Sequence, residues 1–149
     1  LLVEQLEGSE GVDLEAKVRV HLDLAVMLGY SVDRAEECFE IVQQAITRYR
    51  EADLDGTPQM KGALEELITL CRTTGDSMRI APEKKKVWYR REVEARKEFL
   101  RIEPKETLQE RFQRRYAQSE LVMALNKSGE WEEVLELIEQ LINEDASYV

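Results

Sequence analysis

His21, Cys38 and Cys71 have the side chains best suited to chemistry in this sequence, and their neighbours leave them little to do. A histidine works as a general base only with a proton donor in reach and a group to orient it. His21 is the single histidine, and Asp23, two positions on, falls on a different face of any helix that carries both. Both cysteines occupy apolar positions of helical patterns, where a thiol behaves as a small hydrophobe. One histidine and two distant cysteines do not make a zinc site. Asp53-Leu54-Asp55-Gly56 has the look of a calcium loop, but with Gly56 in the sixth place the twelfth is Gly62, where a bidentate glutamate is needed. A turn is therefore expected there. Phosphate-binding glycine loops are missing as well, so the expectation is a chain that is not an enzyme, with no cofactor, no metal and no small-molecule substrate.

One constellation remains, and it is electrostatic. The chain has a net charge of −10, yet residues 84 to 115 hold 12 basic and 6 acidic side chains. Residues 1 to 76 hold 16 acidic and 7 basic, and residues 116 to 149 hold 8 acidic and 1 basic. Within the basic island, Lys84-Lys85-Lys86-Val87-Trp88-Tyr89-Arg90-Arg91 is continued by Arg96, Lys97, Arg101, Lys105, Arg111, Arg114 and Arg115. Cations interleaved with aromatics can neutralise phosphates and stack on bases. Equally, they can meet an acidic protein, or pair with the carboxylates of their own fold. Lys85, Trp88, Tyr89, Arg90, Arg91, Arg114 and Arg115 are the candidate partner-binding residues. The acidic remainder of the chain would repel a polyanion, which places nucleic acid behind a protein partner or self-association.

The elements that must position these residues are helices. Seven glycines, three prolines and a charged share of 35% favour helices with one dry face and one charged face. No alternating stretch is long enough to read as a strand. The first helix is expected from about Leu14, capped by Asp13, to Leu28, with Gly29 as its stop; its second half is apolar nearly all round, which predicts a central position. Ser31 can cap a second helix carrying Ala35, Cys38, Phe39, Val42, Ala45, Ile46 and Tyr49 inward. Thr57-Pro58 opens a third, ending at Gly75. Pro82 opens a fourth, to about Arg101, whose thin stripe of Trp88, Ala95, Phe99 and Ile102 predicts the margin of the core or a face awaiting a partner. Pro104 starts a fifth that runs to about Ser128 with Leu108, Phe112, Tyr116, Ser119 and Met123 as its stripe, widened near its end by Leu121, Val122 and Leu125, and Gly129 stops it. The sixth, Trp131 to Asn143, should turn Val134, Leu135, Ile138, Leu141 and Ile142 inward.

The hairpin from Leu121 to Ile142, with Ala124, Gly129, Trp131 and Val134 in place, resembles a tetratricopeptide or pentatricopeptide repeat. The resemblance covers residues 116 to 145 and implies a protein-interaction scaffold. A shift of 99 residues sets Leu22, Ala25, Ala35, Phe39 and Val42 against Leu121, Ala124, Val134, Ile138 and Leu141. Residues 17 to 46, through Met27-Leu28-Gly29-Tyr30-Ser31, are similar to ubiquitin-associated domains, which would imply a ubiquitin-binding turn. The fold class expected is all-α: about six helices in stacked antiparallel hairpins, an irregular α-solenoid or helical bundle, forming one interaction domain of a longer protein. No apolar stretch approaches the roughly 18 residues of a membrane span, so an intracellular, cytoplasmic or nuclear, location without membrane contact is expected.

Overall fold

A computed structural model describes residues 14–29, 32–104 and 106–147. Among the described residues six α-helices follow one another: α1 (Leu14–Gly29), α2 (Ala35–Glu51), α3 (Pro58–Asp76), α4 (Pro82–Ile102), α5 (Leu108–Ser128) and α6 (Trp131–Ala146), with a short 3-10 turn at Val32–Arg34. No strand occurs among the described residues. The fold is all-α, and each helix packs chiefly on its neighbours in sequence. No described helix is long and apolar enough to cross a membrane.

Local chemistry sets most boundaries. Thr57 caps α3 by accepting from the Met60 amide, with Pro58 in the first turn where its missing N–H costs nothing. α5 begins later than Pro104 would suggest. Thr107 accepts from the Glu110 amide while the Glu110 carboxylate accepts from the Thr107 amide, a reciprocal capping box that defines the start better than a proline alone. Gly129, at φ 78°, closes α5, and the Glu130 amide donates to the Leu125 carbonyl. Gly75 plays a different part from the stop expected of it: α3 runs one residue further, and Gly75 lies buried under Tyr89. The segment from Glu51 to Thr57 is a turn, with Asp53 (φ 57°) and Gly56 (φ 80°) in the left-handed region. Asp13, Tyr30, Ser31 and Lys105 lie outside the described residues.

Two expectations about position are reversed. α1 is an outer helix, packed on α2 and more lightly on α3, with Met27 exposed. α4, expected at the margin, is the centre of the molecule. Its Trp88 and Ala95 belong to the larger core, with Val42, Leu64 and Leu67, while its Val93 and Leu100 join Leu121, Leu125 and Val134 in a second core. The apolar stripe of α4 is thin because two of its buried positions hold Glu92 and Arg96.

Candidate functional site

The basic segment is drawn into the fold. Trp88, 3% exposed, meets the Phe39 ring edge-on at 5.9 Å. Arg91 stacks on both rings and reaches Glu36 of α2 with Nη1 at 2.9 and 3.0 Å from the two carboxylate oxygens. Tyr89 covers Gly75 and hydrogen-bonds Asp76, which also pairs with Lys127 at 3.2 Å. Burial raises the Tyr89 pKa, and the charge and hydrogen bond of Asp76 raise it further. Arg114 closes the end of α4 by donating to the carbonyls of Leu100, at 2.7 Å, and Glu103. Arg115 pairs with Asp145 of α6, and Arg90 lies 3.8 Å from Glu130. Lys85 is half-buried; among the described residues Lys84, Lys85 and Lys86 make no ion pair.

These contacts form a pattern. From α4, Arg91 reaches α2, Arg101 reaches Asp55 in the turn after α2 at 2.8 Å, and Lys97 reaches Glu133 of α6 at 2.7 Å. Beneath them, Arg96 donates to Glu92 at 2.9 Å and lies 3.2 Å from Glu120 of α5. Glu92 is almost wholly buried, and its Oε2 has no hydrogen-bond partner, with Lys127 Nζ 3.8 Å away. A cationic central helix thus holds acidic neighbours on both sides. Most of the pairs are half-exposed, where each contributes about 0–1 kcal/mol. Their collective value is alignment of the hairpins.

Beside this strap runs a groove, which sequence reasoning missed. α3 and α5 each pack chiefly on α4 and meet each other through Asp76 and Lys127, and between them Arg96 and Phe99 of α4, with Glu103 just past its end, form a floor. Ile68 and Thr69 line one wall, and Phe112, Gln113 and Tyr116 the other. Lys61 neutralises the buried Glu103 carboxylate, 2.8 Å from Oε2, and sits 5.3 Å from the centre of the Phe99 ring. Arg96 and Glu120 neutralise each other in the same way. What the groove offers is apolar and aromatic surface flanked by these two ion pairs and by Glu65 and Arg72.

The apolar stripes of α5 and α6 are where the sequence reading is overturned. Leu108, Phe112, Tyr116 and Met123, expected to face the core, are exposed, Phe112 by 75%. On α6 only Val134 is buried; Leu141 is half-buried, and Leu135, Ile138 and Ile142 are exposed. The buried side of α5 carries Gln118, Leu121, Ala124, Leu125 and Ser128, so of the expected stripe Leu121 and Leu125 do face inward, with Val122 half-buried beside them. The spacing that could have located the surface was visible, but periodicity does not say which of two apolar faces is covered.

The residues considered for chemistry are packed in. His21 is buried, its Nδ1 2.7 Å from the Lys17 carbonyl. Both cysteines are buried free thiols, and burial pushes the pKa of Cys71 up to about 12. Of the turn proposed to resemble a ubiquitin-binding surface, Met27 is exposed and Tyr30 and Ser31 lie outside the described residues. Comparison of the chain with known protein families, characterised proteins and solved structures finds no match in any of the three.

Proposed function

We propose that this chain is a protein-interaction module whose groove between α3 and α5 receives an amphipathic helix of a partner protein. The observation that carries the reading is the groove itself: Phe112 and Tyr116 stand exposed along one wall, above Phe99 and Ile68, while Lys61 pairs with Glu103 and Arg96 with Glu120. Helices dock in such grooves through apolar side chains at three- and four-residue steps, and exposed aromatic rings are the usual anchors. The resemblance of the last hairpin to tetratricopeptide repeats points the same way.

A library of amphipathic helical peptides, selected on the 149-residue chain, tests the reading. Binders should perturb the amide signals of Thr69, Phe99 and Gln113, and Thr69→Arg, which fills the groove, should weaken them by about tenfold or more. Selection that yields no binder, or binders indifferent to Thr69→Arg, contradicts it.

An RNA-associated role through residues 84 to 115 is the second reading. What favours it is the run Lys84 to Lys86, which is unpaired among the described residues. It requires affinity that falls steeply with salt and that is lost when Arg90, Arg91, Arg114 and Arg115 are reversed to Glu.

A further inference from the structure

The groove between α3 and α5 has a direction, set by its walls and by two charges on its rim. α3 runs antiparallel to α4: Lys61, near its start, reaches Glu103 past the end of α4, and Gly75, near its end, lies under Tyr89 in the first half of α4. α5 is antiparallel to α4 as well, since Arg114 meets the carbonyls of Leu100 and Glu103, Arg96 meets Glu120, and Lys127 lies over Tyr89. The two walls therefore run the same way. Their C-terminal ends are bridged. The floor of Glu103, Phe99 and Arg96 continues along α4, at steps of three and four residues, into Glu92 and Tyr89, and there Lys127 of α5 meets Asp76 of α3 at 3.2 Å. From Lys61 to Arg72 the α3 wall spans about 16 Å, the length of about three helical turns.

Glu65 and Arg72 differ from the other charges of the groove. Both are exposed on the α3 wall, and among the described residues neither makes an ion pair, whereas Lys61 is matched by Glu103 and Arg96 by Glu120. They stand about two turns apart on one side of α3, with Thr69 between them. A helix laid along α3 is complementary to this wall when an acidic residue faces Arg72 and a basic one faces Glu65. The order of the two in the occupant's sequence depends on its direction, and the dipoles choose the direction. An antiparallel occupant sets its N-terminus beside the C-termini of α3 and α5, so that opposite partial charges meet at both ends. Its acidic residue then lies near its N-terminus and its basic residue nearer its C-terminus, the placement its own dipole favours. Such a helix also completes an up-down-up-down bundle with α3, α4 and α5, in which all adjacent helices are antiparallel.

We infer that the partner helix runs antiparallel to α3 and α5, with an acidic residue near its N-terminus meeting Arg72 and, about two turns later, a basic residue meeting Glu65. This rests on the reading of the groove as a helix-binding site and adds the partner's charge pattern and polarity. Glu65 and Arg72 determine specificity more than affinity: as exposed groups they add little attraction, but they oppose like charge to a helix whose two residues are exchanged. The apolar side chains between hold the helix in either case.

A helical peptide selected on the chain tests this in two forms, one with glutamate facing α3 about two turns before lysine, the other with the two exchanged. The first should bind about tenfold more tightly at low salt, and the difference should shrink to about twofold or less near 1 M salt. Glu65→Lys combined with Arg72→Glu should invert the preference. Both positions are exposed, so circular dichroism should report an unaltered helix content. If that variant unfolds, a nitroxide on the N-terminus of the first peptide decides with the wild-type chain: it should broaden the amide signals of Arg72 and Glu120 and spare those of Lys61 and Phe112. Equal binding of the two forms, a preference unmoved by the double variant, or broadening at Lys61 would overturn the inference. The groove reading survives those results if Thr69→Arg still weakens the peptides; a chain that binds no helical peptide overturns both.

Discussion

The guanidinium of Arg91 lies 4.0 Å from the centre of the Phe39 ring, on a different helix. The same group stacks on Trp88 at 4.5 Å and ion-pairs with Glu36, so one cation closes the junction between α2 and α4. Of these contacts the stacking should matter most. Glu36 is largely exposed, which limits its pair to a fraction of a kcal/mol, whereas a partly desolvated guanidinium on an aromatic face contributes about 1–2 kcal/mol. Arg91→Ala should therefore lower unfolding free energy in urea by about 1–2 kcal/mol, and Glu36→Gln by less than about 0.5 kcal/mol. Equal losses would mean that the ion pair, and not the stack, holds the junction.

Gly75 and Tyr89 are in closer contact than any larger residue would permit. A Cβ at Gly75 would lie 2.8 Å from Tyr89 Cε1 and 3.3 Å from Trp88 Cβ. The Tyr89 ring cannot swing away freely, since Asp76 holds its hydroxyl and Lys127 lies 5.5 Å from its centre. Gly75→Ala gains about 1 kcal/mol in helix propensity, yet overpacking should outweigh it, for a net loss of about 1 kcal/mol or more. The loss should shrink in a Tyr89→Ala background, as thermal melts of the two pairs would reveal.

The buried pair Glu92 and Arg96 should behave asymmetrically. Glu92→Ala leaves the buried guanidinium of Arg96 with Glu120 as its remaining carboxylate and should cost about 1–3 kcal/mol, whereas Glu92→Leu combined with Arg96→Met should cost less, because apolar packing replaces the buried pair and Glu120 alone loses a partner. Equilibrium denaturation of the single and double variants checks this. A double variant as unstable as the single one would assign the pair a role in alignment that apolar packing cannot replace.

Acid should loosen the last hairpin. The hydrogen bond and charge of Lys97 hold the Glu133 pKa below its ordinary 4.5, and burial opposes them. For Glu144, burial acts upward, but Gln140, Gln118 and Arg115 together bring the pKa below 4.5. With folded values depressed, the unfolded chain binds more protons near and below that pH. The stabilisation is present above 4.5 and is lost as pH falls through the folded values. Glu133→Gln should flatten the acid limb of a stability-against-pH curve and leave the neutral value lower. An unchanged acid limb would rule out Lys97–Glu133 as its source.

The sequence disclosed ends better than faces. Thr57-Pro58, Pro82 and Gly129 act within a turn of where they stand, so three helix boundaries could be read locally. The inward side of α5 could not. That helix has two apolar faces, Leu121 and Leu125 on one and Leu108 and Phe112 on the other, and only packing on α4 selects between them. α4 was misplaced for the converse reason. A hydrophobic pattern counts Glu92 and Arg96 as outward, but each neutralises the other in the interior. The candidate binding residues were found as a cluster of types, whereas their pairing partners, Glu36, Asp145 and Glu130, come from three other segments of the chain. The groove needed α3 and α5 to stand apart across α4, which no local signal encodes.

The central claim is that partners meet the apolar groove and not the basic strap. A photoreactive residue placed at Gln113 or at Lys85, followed by illumination in cell extract, separates the two most directly. The account predicts protein adducts from position 113 that vanish when Thr69→Arg is added, and none from position 85. Adducts from position 85 alone, sensitive to ribonuclease, would contradict it.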